Sequence, residues 1–70
     1  MNLVELVSEF AAGHVGETVT SAQLYNFISS RAECSPGSEA RILRGLRLKG
    51  IISYHVPNRK RGEYHITAVH

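Results

Sequence analysis

Between Asn2 and about Ala12, Leu3, Leu6, Val7 and Phe10 recur at spacings of three and four, while Glu5, Ser8 and Glu9 fall on the other side. Apolar residues at that period line one face of a helix, so the spacing predicts an amphipathic α-helix. Gly13-His14-Val15-Gly16 should end it, because two glycines in four residues favour turns over helix. A brief extended segment is expected over Glu17-Thr18-Val19. Thr20 or Ser21 can then accept a free backbone N–H as the N-cap of a second helix. Leu24, Phe27 and Ile28 mark its buried side, and its end is expected near Arg31. Ser35-Pro36 predicts the start of a third helix, since serine caps and proline lacks only an N–H that the first turn leaves unused. Ala40, Leu43 and Leu46 form the expected core stripe of that helix. Gly37, Ser38, Arg41, Arg44 and Leu48 lie on other sides of the wheel, and Gly50 closes the helix.

Beyond Gly50 the period falls to two. Ile52, Tyr54 and Val56 alternate with Ser53 and His55, and Tyr64, Ile66 and Ala68 resume the alternation after Asn58-Arg59-Lys60-Arg61-Gly62. This predicts a C-terminal β-hairpin with a basic tip. If Val56 faces Tyr64, Tyr54 faces Ile66 on the core side and His55 pairs with His65 on the outer face, because directly opposed residues of an antiparallel pair share a face. The expected fold class is therefore α+β, three helices followed by a hairpin.

A chain of 70 residues, 43% of them hydrophobic, supports one small domain spanning residues 1–70. Cys34 is the lone cysteine, so there is neither an internal disulfide nor a cysteine zinc site, and apolar packing must hold the fold. The stretch Leu3 to Ala12 is interrupted by polar residues and lacks a positive leader, so it reads neither as a signal peptide nor as a membrane span. The expectation is a complete cytoplasmic protein with no membrane association.

Charge changes the picture most. The formal net charge is only +2, yet residues 1–30 hold Glu5, Glu9 and Glu17 and no cation, whereas all eight lysines and arginines lie between Arg31 and Arg61. From Arg41 to Arg61 there are seven cations and no acid. Such a run can be a solubilising face, but on a helix and the adjoining hairpin it is also the footprint of a polyanion-binding surface.

The order helix, short extended segment, helix, helix, hairpin resembles the winged helix-turn-helix family over nearly the whole chain. Residues 35–52, with their arginine-leucine-arginine rhythm and closing glycine-hydrophobic step, look like that family's recognition helix. Tyr54, Val56, Gly62, Tyr64 and Ile66 look like its wing, and the helix opened by Thr20 and Ser21 corresponds to the positioning helix. The resemblance implies a double-stranded DNA partner, with the third helix in the major groove. Ser38 and Arg41, in the first turns, are the candidates for base edges, arginine having two donors to offer guanine. Gly37 permits close backbone approach, and the helix start led in by Ser35 could hold a phosphate, with Glu39 working against it. Arg44, Arg47 and Lys49 are expected on phosphate, and Asn58, Arg59, Lys60 and Arg61 on backbone or an adjacent minor groove.

Other chemistries have weaker support in the residues. The chain contains no aspartate, its six glutamates are scattered, and no serine or cysteine sits in a nucleophile motif, so it does not read as an enzyme. His55 and His65 could supply only half of a tetrahedral metal site, and neither a metal nor a cofactor is expected. Tyr54 and Tyr64 read as core residues with hydroxyls at the edge. Tyr25, beside the Leu24 stripe, could touch a phosphate or a partner subunit. Cys34, before the third helix, reads as a small turn residue, although a thiolate would be favoured at a helix start. Single-stranded nucleic acid is disfavoured by the shortage of exposed aromatics. The function expected is sequence-specific double-stranded DNA binding by a small transcriptional regulator or an accessory protein of a phage or mobile element, with a homodimer or a protein partner supplying further contacts. The alternative is a protein-interaction module or inhibitor that sets the same basic face against an acidic partner.

Overall fold

The computed structural model describes residues 2–70, which form α1 (Leu3–Ala12), β1 (Thr18–Thr20), α2 (Ser21–Ser29), α3 (Ser38–Leu48), β2 (Ile52–His55) and β3 (Glu63–Val69). Three helices cover one face of a three-stranded antiparallel sheet ordered β1-β3-β2. The expected α+β class is observed, and each of the expected elements is present. Among the described residues no helix is long and apolar enough to cross a membrane.

Local chemistry accounts for the helix starts. Asn2 caps α1, its side-chain oxygen accepting the Glu5 N–H at 2.8 Å. Thr20 and Gln23 form a reciprocal capping box on α2: Thr20 Oγ1 accepts the Gln23 N–H at 3.1 Å, and Gln23 Oε1 accepts the Thr20 N–H at 2.8 Å. At α3 the expectation fails. Ser35 is not the cap; Gly37 is, in the left-handed region at φ 91°, with no side-chain cap bond. Ser35 and Pro36 instead lead into a turn in which the Ser35 carbonyl accepts the Ser38 N–H at 3.1 Å. A residue at that positive φ must be glycine for want of a Cβ penalty, and this moves the helix start past the proline. At the other end Gly50, at φ 75°, lets the Ile51 N–H reach back to the Leu46 carbonyl at 3.0 Å, which closes α3 as expected.

The core joins Leu6, Val7, Phe10 and Ala11 of α1, Leu24 and Ile28 of α2, and Leu43 and Leu46 of α3 to Val19, Ile52 and Ile66 of the sheet. Ala40, expected in this stripe, is only half-buried and stands at the edge facing the hairpin. Glu39 is unexpectedly inside, 8% exposed.

β3 is the central strand. It pairs with β1 through Thr18↔His65, Val19↔Tyr64 and Thr20↔Glu63, and with β2 through Tyr54↔Ile66 and His55↔His65, the register expected for the hairpin. Further along, Ser53 pairs with Ala68 and Ile52 with Val69, so Thr67 is an extra residue on β3 and makes a bulge. The base of the hairpin loop is tied to the helical layer. The Ser21 N–H donates to the Gly62 carbonyl at 2.8 Å, and a Cβ at Gly62 would lie 3.1 Å from Ser21 Oγ.

Candidate nucleic-acid interface

Apart from Arg31, the cations fall on α3 with its C-cap Lys49 and on the hairpin tip, and two stripes run along α3. Ser38, Arg41, Gly45 and Leu48 follow one another at steps of three and four, as do Ala40, Arg44 and Arg47 in a second stripe. Arg41, Arg44, Arg47 and Lys49 are all exposed, whereas Ser38 is half-buried. Leu48 is the most exposed large apolar side chain, 73% accessible, and lies on the stripe of Arg41. The candidate base-contacting residues Ser38 and Arg41 therefore share a side of the helix, and Arg44 and Arg47 turn toward the hairpin.

The tip is a compact turn. Asn58 Oδ1 accepts the Arg61 N–H at 3.2 Å, the Asn58 carbonyl accepts the Glu63 N–H at 3.1 Å, and the Arg59 carbonyl accepts the Gly62 N–H at 3.1 Å. Asn58 thus uses its side-chain oxygen to close the turn. Arg59, Lys60 and Arg61 project from it, all exposed.

Between α3 and the hairpin lies a cleft of about 460 Å³ whose wall carries Arg44 and Arg47 from the helix, Arg59 from the tip, and Tyr54 and Tyr64 from the sheet. Among the described residues no carboxylate lines it. The Arg47 guanidinium stands 5.0 Å from the centre of the Tyr54 ring, within cation–π range. Tyr54 and Tyr64 meet edge to face with centroids 5.3 Å apart, and Ser21 Oγ makes a long contact of 3.4 Å to the Tyr64 hydroxyl. Burial pushes the Tyr54 hydroxyl above its ordinary pKa; Arg47 pulls it back, Tyr64 adds to the rise, and Arg44 opposes it. At neutral pH Tyr54 is a neutral O–H donor whose ring lies beside the Arg47 guanidinium. The sequence placed both tyrosines in the core, and they do pack against it, but their role as the floor of a basic cleft was missed. No sequence signal marked this role, because the cleft exists only once α3 and the hairpin lie side by side.

The helix start is not a vacant anion site. Glu39 Oε2 accepts the Gly37 N–H at 3.1 Å, so this chain's own carboxylate occupies the position where a phosphate was considered. Ser35 and Gly37 are exposed in the turn that precedes the helix.

The remaining candidates lie elsewhere. Arg31 is engaged with α2, its Nη1 donating to the Phe27 carbonyl at 3.0 Å and to Ser30 Oγ at 2.9 Å, with the guanidinium 3.9 Å from the Phe27 ring centre. His55 and His65 do face one another, ring centroids 5.0 Å apart, and His65 Nδ1 lies 3.0 Å from Thr18 Oγ1. No group of three or more metal-ligating side chains comes together among the described residues. His14 is half-buried: it stacks on Phe10 at 4.1 Å, and its Nδ1–H donates to the Phe10 carbonyl at 2.7 Å. Cys34 is a half-buried free thiol packed against the core ahead of the Pro36-Gly37 turn, and therefore not at the start of α3. With Tyr25 and Ser35 it borders a second, shallower cleft. In comparisons of the chain with protein-family models, curated proteins and solved structures, none matches.

Proposed function

We propose that this protein is a winged helix-turn-helix domain that binds double-stranded DNA, with α3 in the major groove and the Asn58–Gly62 tip on the adjacent backbone or minor groove. The observation that carries this reading is the convergence of Arg44, Arg47 and Arg59, from two separate elements, on one cleft free of carboxylates. Such an arrangement matches a phosphate backbone passing between helix and hairpin. The element order and the pairing of β1 with β3, the hairpin strand at the centre of the sheet, support the winged reading of the fold. Ser38 and Arg41 take the base edges; Arg44, Arg47, Lys49, Arg59, Lys60 and Arg61 take phosphates. Asn58 acts by holding the tip in shape.

In this reading the protein is a small transcriptional regulator or a phage or mobile-element accessory protein acting in the cytoplasm. One module makes a small interface, so useful specificity calls for a dimer or paired sites. The test is a fluorescence-anisotropy titration with random duplex DNA at about 50 and 200 mM salt. With about four to six phosphates neutralised, log affinity falls against log salt with a slope of roughly −4 to −5. A folded protein that binds at neither salt rules the reading out.

One observation favours a second reading. Leu48 stands exposed among the cations of α3, where an acidic protein partner with an apolar contact would also fit. Pull-down with wild type and Leu48→Gln separates the two, because loss of a partner with DNA affinity intact assigns Leu48 to protein contact.

A further inference from the structure

We propose that the cleft between α3 and the hairpin is a binding site for a small polyphosphate anion, of the kind carried by nucleoside triphosphates, and that its occupant competes with DNA for the same arginines. The competition rests on the DNA-binding reading; the anion site does not. Three features of the cleft support it.

First, cations border it on two sides. Arg44 and Arg47 are one helical turn apart on α3, and Arg59 reaches in from the hairpin tip. Guanidinium groups present fixed forks of N–H donors that match phosphate oxygens in pairs, and three of them around one cavity exceed what a single phosphodiester can use. A terminal polyphosphate, with more charge and more acceptor oxygens per unit volume, engages all three.

Second, the donors are available. Among the described residues Arg31 is the one cation with side-chain hydrogen bonds inside the fold, and no carboxylate lines the cleft. Arg47 is steadied by the Tyr54 ring below it, a contact that leaves its N–H groups free while limiting the rotamers it would have to give up on binding.

Third, the floor is part apolar and part donor. Tyr54 and Tyr64 hold each other edge to face, and the Tyr54 hydroxyl keeps its proton as a further donor to an anionic oxygen. A volume of about 460 Å³ is in the range of small-molecule sites, larger than one inorganic phosphate needs.

The probe is sodium triphosphate, titrated calorimetrically into the full chain without DNA, against sodium sulfate at matched ionic strength. Saturable one-to-one binding is expected, weakened about tenfold or more by Arg44→Gln and by Arg47→Gln and little by Arg41→Gln, a residue that does not line the cleft. Circular dichroism of each variant verifies folding. Binding that is non-saturable, equalled by sulfate, or reduced alike by all three variants overturns the site and leaves a diffuse charge effect. ATP in place of triphosphate tests whether a base adds affinity; weaker binding of ATP confines the site to the phosphate chain. A parallel displacement assay from duplex DNA completes the test. If triphosphate binds one-to-one and the chain does not bind DNA, the anion site stands and the DNA reading fails. If DNA binds and triphosphate displaces it no better than ionic strength alone, the competition fails.

Discussion

The carboxylate of Glu39 accepts the backbone N–H of Gly37 at 3.1 Å from a position only 8% exposed, so the entrance to α3 is sealed by a charge from its own first turn. Removing that acceptor leaves a partly buried donor unpaired and takes a negative charge from the positive end of the helix dipole. Glu39→Ala should therefore lower stability by about 1–2 kcal/mol, and Glu39→Gln, which keeps an oxygen in place, by less. Urea denaturation followed by circular dichroism measures both; equal midpoints for wild type and Glu39→Ala would show that the contact contributes nothing.

Gly62 is the tightest of the positive-φ glycines, at 62° and with Ser21 Oγ 3.1 Å from where a Cβ would stand. Gly62→Ala should cost about 1–2 kcal/mol through backbone strain and displacement of Ser21. Gly16→Ala, at 85° but with open space around it, should cost about 1 kcal/mol from the backbone alone. Thermal melts of the two variants give the comparison, and the reverse order would mean that Ser21 yields freely.

Stability should also report on Tyr54. Burial raises its pKa in the folded chain, so the unfolded chain loses this proton first as the pH climbs. The contribution is complete below about pH 10, the ordinary tyrosine value, and disappears as the pH rises through the higher folded value. Melting temperature should fall over that alkaline interval more steeply in wild type than in Tyr54→Phe. Parallel curves would show that Tyr54 is not responsible.

One arginine and one lysine change would distinguish base reading from phosphate binding in the proposed DNA complex. If the chain binds DNA as proposed, Arg41→Ala should relax preference at a single base pair by about 1–3 kcal/mol. Lys60→Ala, at the tip, should weaken all sequences alike and reduce the salt slope by about one. Binding to a panel of duplexes at several salt concentrations decides it, and equal loss on every sequence from both changes would leave only nonspecific binding.

Much of this fold is legible in the residues because local and long-range preferences agree. The apolar spacing of Leu6, Val7 and Phe10, the Thr20 cap and the alternation around Tyr54 and Ile66 each specify one arrangement, and the hairpin register follows from which side chains can be buried. What could not be read depends on backbone geometry or on distant neighbours. Ser35-Pro36 carries a helix-start signal, yet the positive φ of Gly37 and the Glu39 carboxylate move the start. The Thr67 bulge inserts a residue into an otherwise regular alternation, and nothing in Ser53 or Ala68 announces it. The basic cleft needed α3 and the hairpin to be placed side by side before Ala40, Arg44 and Arg59 could be recognised as neighbours. Charge counting alone put the cations on one half of the chain and could not sort them into stripes.

The bond from Ser21 to Gly62, together with the Asn58 turn, has a consequence for the entropy of recognition. Both ends of the basic tip are fastened by backbone hydrogen bonds, at 2.8 Å to the start of α2 and at 3.1 Å across the loop itself. Its backbone freedom is surrendered when the domain folds and not when a partner arrives. For the proposed polyanion, what would remain to be ordered on contact is a handful of long side chains presented along a preformed basic edge.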